Sequence, residues 1–273
     1  MTAHPQITWL SGLVSRFPTH PELNKHALRV LSWPLIGSTL ANKLTPGEYY
    51  KFWNQHYPGF GRPHRDLGAN DVTPRAKHRI RKAFENMVTP KRPHLMIKIT
   101  GWSRIGFLHE IFPDARFIHL VRDGRAVANS MLQVPWWHGW HGPSQWRLGP
   151  LSAANQELWE THDQSYVALA GIAWNILTDS VDCARTGIDT SQFLSITYEQ
   201  LCENPQATLQ LALEFCELDW TLELDRMLYR TKLVNANNKW QQELSILQQT
   251  ALQAVMAERL LKWGYELVDM PAS

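Results

Sequence analysis

The pattern of apolar and polar positions changes period several times along the chain. Short apolar runs predict buried strands at residues 95–99, 117–121 and 193–196. Apolar positions three or four residues apart predict helices at 8–16, 24–44 with a break at Pro34, 74–88, 103–112, 159–185, 198–202, 205–216 and 247–263. Strands that alternate with helices predict an α/β fold, with a mostly parallel sheet flanked by helices on both faces.

The most informative transition lies between the run at 117–121 and the helical pattern that follows it. The polar turn 122–125 separates the two, and Asp123 is a suitable N-cap for the helix. Arg122 stands at the carboxyl end of the strand, where open α/β sheets bind ligands, and Ser130 lies two helical turns further on. A guanidinium and a hydroxyl suit a phosphate, although the same residues also fit an ordinary charged turn with a local ion pair.

Composition narrows the class of protein. The chain has 273 residues, of which 44% are hydrophobic, and no linker divides it, so we expect a single domain over 1–273. The net charge of +2 and the lack of a basic tract do not indicate a nucleic-acid partner. Three scattered cysteines favour a reducing compartment. No signal-like start or membrane-length apolar run is present, so we expect a cytoplasmic protein without a membrane span.

The residues from Phe117 to Ser130 resemble the 3′-phosphate-binding segment of sulfotransferases that use 3′-phosphoadenosine-5′-phosphosulfate (PAPS). The match is long and ordered, and the resemblance extends over about residues 8–263. It implies a P-loop-like parallel sheet and PAPS as co-substrate, with no metal. It also implies that Arg122 and Ser130 hold the 3′-phosphate.

Other candidate site residues depend on the same resemblance. Lys98 lies near the end of an apolar run. Taken by itself, it fits a lysine at a strand edge. The resemblance implies instead that Lys98 stabilises the transferred sulfonate. Thr100 stands where cytosolic members have a catalytic histidine. Tyr198 corresponds to a tyrosine of the adenosine site, with a core tyrosine as the alternative. Lys239 resembles the basic loop that closes over the 3′-phosphate, but without its glycine and arginine.

The catalytic base is harder to place, because threonine is a poor base near neutral pH. His26 is our candidate, since some relatives carry an acidic base near this position, and Glu22 is the other contender. A histidine on the surface of a helix is the alternative for His26.

The loop that holds the 5′-phosphosulfate has no clear match. Thr8 fits the end of this loop, but its glycine and basic residue are missing, and only seven residues precede Thr8. We therefore expect that the first strand of the sheet is absent from this chain, and that residues upstream of Met1 complete it. A natural loss of the loop is the alternative.

The resemblance therefore implies a sulfotransferase that moves the sulfonate of PAPS to a hydroxyl or amine of a small-molecule, glycan or lipid acceptor. The alternatives are a non-catalytic relative that binds 3′-phosphonucleotides and a P-loop nucleotide kinase. The lack of a Gly-Lys-Ser/Thr motif disfavours the kinase. The tryptophans in the irregular segment 133–150 fit either an acceptor site or the packing of a lid.

Overall fold

The computed structural model describes residues 1–31, 44–62 and 64–269. Its strands are β1 Ile7–Trp9, β2 His94–Met96, β3 Phe117–Val121 and β4 Phe193–Thr197. Its helices are α1 Gly12–Arg16, α2 Leu23–Leu31, α3 Tyr50–His56, α4 Pro74–Glu85, α5 Ile105–Ile111, α6 Gly124–Leu132, α7 Ala153–Thr161, α8 Tyr166–Arg185, α9 Tyr198–Glu203, α10 Pro205–Phe215, α11 Leu222–Arg230, α12 Lys239–Glu243 and α13 Ile246–Lys262. The predicted α/β class is confirmed. The predicted helical residues 32–43 lie outside the described residues.

The chain divides into two compact units. The first unit comprises Met1–Arg62, Leu67–Phe117 and Leu209–Lys232, and the second comprises Pro63–Asp66, Ile118–Thr208 and Leu233–Ser273. That residues 1–273 form a single domain stays a prediction. Within the described part of the chain, no helix is both long enough and apolar enough to span a bilayer.

The first unit contains the strand that we expected to be absent. β1 pairs with β2 in parallel, with Ile7 opposite His94 and Trp9 opposite Met96. Thr8 is fully buried in β1, and its hydroxyl donates to the carbonyl of Arg92 at 2.8 Å. The predictions of a helix from residue 8 and of a missing first strand are therefore wrong.

The physical reason is that β1 is buried on both faces. A strand of this kind shows no alternation of apolar and polar residues, so its three residues cannot be distinguished from the start of a helix by period. After β1 the chain turns at Ser11 into the short helix α1, which begins at Gly12. A strand, a turn and a helix thus lie at the position where we had expected only the end of a loop.

An aromatic cluster forms the core of the first unit between α3, α4 and α5. The indole of Trp53 stacks on Phe60 at 4.3 Å between ring centroids, with an angle of 10° between the rings. Phe84 meets Phe52 edge to face at 5.3 Å, and Phe107 meets Phe60 in the same manner at 5.8 Å. Such pairs add to the stability that burial alone supplies.

The core of the second unit lies between α6, α8 and α13, and β3 pairs with β4 in its sheet. The helix predicted at 159–185 is in fact two helices, α7 and α8. They are separated by Asp163 and Gln164, which adopt left-handed backbone conformations with φ of 54° and 53°. The hydroxyl of Ser165 then caps α8 by accepting from the backbone N–H of Val167.

Candidate functional site

The junction between β3 and α6 is built by residues of the polar turn. The carboxylate of Asp123 caps α6 by accepting from the backbone N–H of Arg125 at 2.9 Å. Gly124 lets the helix begin in close contact with the core. A Cβ at this position would lie 2.2 Å from Met256 Cε and 2.6 Å from Trp174 Cδ2. The turn therefore fixes where α6 starts and, through it, where the residues of the next two turns point.

A pocket of about 200 Å³ lies along α6 in the second unit. Arg122 enters it from the end of β3, Ser130 from α6 and Lys239 from the start of α12. The other lining residues are Ala126, Asn129, Gln133, Ala236 and Glu243. The structure therefore brings together three of the residues that the sequence predicted for the 3′-phosphate site, from segments more than 100 residues apart.

Arg122 is held from two directions. Its Nε donates to the Oδ1 of Asn237 at 2.8 Å, and its guanidinium lies 4.4 Å from the centroid of the Tyr198 ring. The hydroxyl of Tyr198 donates to the carbonyl of Val234 at 2.9 Å. In the described ranges, no carboxylate lies within ion-pair distance of Arg122 or Lys239. The positive charge of both side chains is therefore available to an anion.

The turn 122–125 also contains the local ion pair that was the alternative interpretation. Arg125, and not Arg122, forms this pair. Arg125 pairs with Asp123 through two contacts, at 3.1 Å from Nε and 2.8 Å from the terminal nitrogen. It also donates to Gln253 at 2.8 Å and lies over the ring of Trp240. Both members of the pair are buried. Arg125 therefore stabilises the turn, and Arg122 remains free to face the pocket.

A second polar cluster lies in the first unit, around the end of β2. The carboxylate of Glu48 accepts from the hydroxyl of Thr100 at 2.5 Å and lies 4.0 Å from the ammonium of Lys98. The side chain of Glu48 is 18% exposed, whereas that of Lys98 is 66% exposed. The hydroxyl of Tyr50 donates to the carbonyl of Thr100 at 3.1 Å. Burial, together with the nearby charge of Glu48, raises the pKa of Tyr50 to about 12.

A family model described as the sulfotransferase family matches residues 2–222. The chain belongs to this family. Protein-tyrosine sulfotransferase A of Caenorhabditis elegans is 22% identical over 160 residues, which are 58% of this chain and 35% of that protein. The chain thus spans about a third of the length of this curated relative.

A solved structure shows the same fold. The crystal structure of a sulfotransferase from Mycobacterium avium superposes with a TM-score of 0.56 and 17% identity, over 97% of this chain and 72% of that one. The sulfotransferase domain of the olefin synthase of Synechococcus PCC 7002 gives a TM-score of 0.48 and 18% identity, over 96% of this chain and 94% of that one.

The remaining candidate residues of this family member lie outside the pocket and the polar cluster. His26 is exposed on α2, and Glu22 is exposed and pairs with His20 at 3.1 Å. Thr8 is a core residue of β1, with its hydroxyl already bonded. Glu48 was missed by the sequence analysis. A carboxylate just before a helix is a common feature, and its partner Lys98 lies 50 residues away, so no local pattern links the two.

The tryptophans of segment 133–150 divide into two pairs. Trp137 and Trp146 are buried and meet edge to face at 6.3 Å between ring centroids, so they belong to the core of the second unit. Trp136 and Trp140 are about half exposed, and Trp140 contacts Tyr166 at 4.8 Å. Only the second pair is accessible to an acceptor.

Proposed function

We propose that this sulfotransferase transfers the sulfonate of PAPS to a hydroxyl or amine acceptor, and that the pocket along α6 binds the 3′-phosphate of the nucleotide. The observation that carries the proposal is the convergence of Arg122, Ser130 and Lys239 on one pocket. Two cations that have no carboxylate partner among the described residues, together with a small hydroxyl, are a donor set that fits a phosphate. Tyr198, which lies under Arg122, would contact the adenosine.

The chemistry requires an acceptor atom to attack sulfur as the bond from sulfur to the 5′-phosphate oxygen breaks. Adenosine 3′,5′-bisphosphate leaves, and the proton of the acceptor passes to a base. Catalysis of such a transfer depends mainly on positioning and on neutralising charge at the moving group. We assign the neutralising charge to Lys98, whose ammonium is exposed and has Glu48 as a neighbour at 4.0 Å.

We assign the base to Glu48 in place of His26. Glu48 is a carboxylate beside Lys98, whereas the structure shows no hydrogen bond or ion pair for His26 among the described residues. The raised pKa of Tyr50 keeps the phenol protonated at neutral pH, so Tyr50 is a hydrogen-bond donor and does not compete as a base.

Nucleotide binding tests the first part of the proposal. We expect Arg122→Ala to weaken the binding of adenosine 3′,5′-bisphosphate by more than about tenfold, because a charge-assisted contact is lost. Titration calorimetry on the wild type and on Arg226→Ala, which removes an exposed arginine of α11, provides the comparison. Equal affinity of the wild type and Arg122→Ala would exclude Arg122 from the phosphate site.

Transfer of labelled sulfate from PAPS tests the second part. The named relative acts on protein tyrosine, so the acceptor panel includes a tyrosine peptide beside simple phenols, sugars, lipids and amines. We expect turnover on at least one acceptor, and its loss in Lys98→Ala but not in Lys91→Ala. Nucleotide binding without turnover on any acceptor would favour the non-catalytic relative.

A further inference from the structure

Asn237 is a buried amide in direct contact with the arginine of the pocket. The residue is only 9% exposed. Its Oδ1 accepts from the Nε of Arg122 at 2.8 Å, and its Nδ2 donates to Glu199. The backbone N–H of Asn237 donates to the side chain of Asn235 at 3.0 Å, which fixes the loop. These partners allow only one orientation of the amide, because a flip would set oxygen against the carboxylate and nitrogen against the guanidinium.

Glu199 directly follows Tyr198 in the sequence. Its carboxylate accepts its hydrogen bonds from neutral groups. Besides the amide of Asn237, it accepts from the backbone N–H of Asp123 at 3.2 Å and from the hydroxyl of Tyr265 at 3.0 Å. Burial and the charge of Glu199 both raise the pKa of Tyr265, so this phenol keeps its proton and remains a donor at neutral pH. The carboxylate is thereby held away from a direct ion pair with the pocket arginine.

The contacts between Asn237, Glu199 and Tyr265 have a consequence for the charge of the pocket. The neutral amide of Asn237 lies between the carboxylate of Glu199 and the guanidinium of Arg122. It accepts a hydrogen bond only from the Nε of Arg122. The terminal nitrogens of Arg122, which form the fork that recognises phosphate, stay available to the pocket. A direct pair of Arg122 with Glu199 would instead neutralise the charge that an anion needs.

We propose that Asn237 is a positioning residue for the 3′-phosphate. It is held by Glu199, which Tyr265 holds in turn, and it orients Arg122 and keeps the charge of Arg122 unpaired. This inference rests on the proposed function of the pocket. Asn237 and Tyr265 both lie beyond residue 222, where the match to the family model ends, so the C-terminal segment of this chain supplies part of the phosphate site.

The test is selectivity for the 3′-phosphate, because a merely structural residue would affect all nucleotides alike. Titration calorimetry gives the ratio of the affinities for adenosine 3′,5′-bisphosphate and adenosine 5′-monophosphate. We expect Asn237→Ala to lower this ratio about tenfold, with the affinity for the monophosphate unchanged. The control is Asn238→Ala, since Asn238 is the exposed neighbour and makes no side-chain cap in α12. The control should keep the wild-type ratio.

Tyr265→Phe is a second variant that removes one hydroxyl and keeps the ring, and we expect a smaller fall of the ratio in the same direction. Loss of affinity for both nucleotides by equal factors in either folded variant would overturn the inference. If Asn237→Ala does not fold, an unchanged ratio in Tyr265→Phe would overturn the inference as well. A wild type that does not prefer the bisphosphate at all would instead refute the proposed function of the pocket.

Discussion

Replacing Gly124 with alanine tests how tightly the start of α6 is packed. The new Cβ would lie 2.2 Å from Met256 Cε, 2.6 Å from Trp174 Cδ2 and 2.8 Å from Trp174 Cε3. Separations this short require the surroundings to move. The methionine end can rotate, but the indole is buried among α6, α8 and α13 and has little room.

The expected magnitude follows from two opposing effects. Inserting a methyl group into a packed core costs about 1–3 kcal/mol, and the contact with the rigid indole of Trp174 favours the upper end of this range. Alanine in place of glycine in a helix returns at most about 1 kcal/mol. We therefore expect Gly124→Ala to lower the free energy of unfolding by about 2 kcal/mol. Because Gly124 adjoins the turn that carries Arg122, the affinity for adenosine 3′,5′-bisphosphate should fall as well.

Urea denaturation and nucleotide titration on the same samples measure the two effects. The matched control is Gly187→Ala, because a Cβ at Gly187 would make only an ordinary contact, at 3.7 Å from the carbonyl oxygen of Ala184. This control should leave stability within about 1 kcal/mol of the wild type. If Gly124→Ala is as stable as the wild type and binds the nucleotide equally well, the close packing of α6 inferred here is wrong.

Three further predictions concern charged and titratable groups. Arg125→Ala should cost about 3–5 kcal/mol in urea denaturation because it leaves the buried Asp123 carboxylate unpaired, and a loss below about 1 kcal/mol would contradict this. Burial lowers the pKa of His119, so the unfolded chain binds a proton that the folded protein does not. The free energy of unfolding should therefore fall as the pH drops below about 6.5, and His119→Phe should reduce this fall. An unchanged pH dependence in His119→Phe would refute the assignment. Glu48→Gln should lower the turnover of labelled PAPS by about 10²–10⁴-fold with nucleotide affinity unchanged, and wild-type turnover would exclude Glu48 as the base.

Sequence determined the elements of this protein wherever the period of the pattern was clear. The strand at 117–121 was predicted with its observed bounds, and Thr73 and Pro74 mark the start of α4 as a cap and first residue should. The order of strand, turn and helix, with arginine and serine at fixed positions, suited a phosphate but also fitted an ordinary charged turn. Only the resemblance to sulfotransferases favoured the phosphate site, which stays a prediction. These features are local, because hydrogen bonds and caps within a few residues define them.

Tertiary structure alone decided which polar residues meet. Whether Arg122 or Arg125 forms the ion pair of the turn depends on Gln253 and Trp240, which lie more than 100 residues further along the chain. The strand β1 is recognisable only through its partner β2, since it is buried on both faces and too short to show a period. The approach of Glu48 to Lys98, and of Asn237 to Arg122, depends on how distant segments pack, which no local pattern of residues encodes.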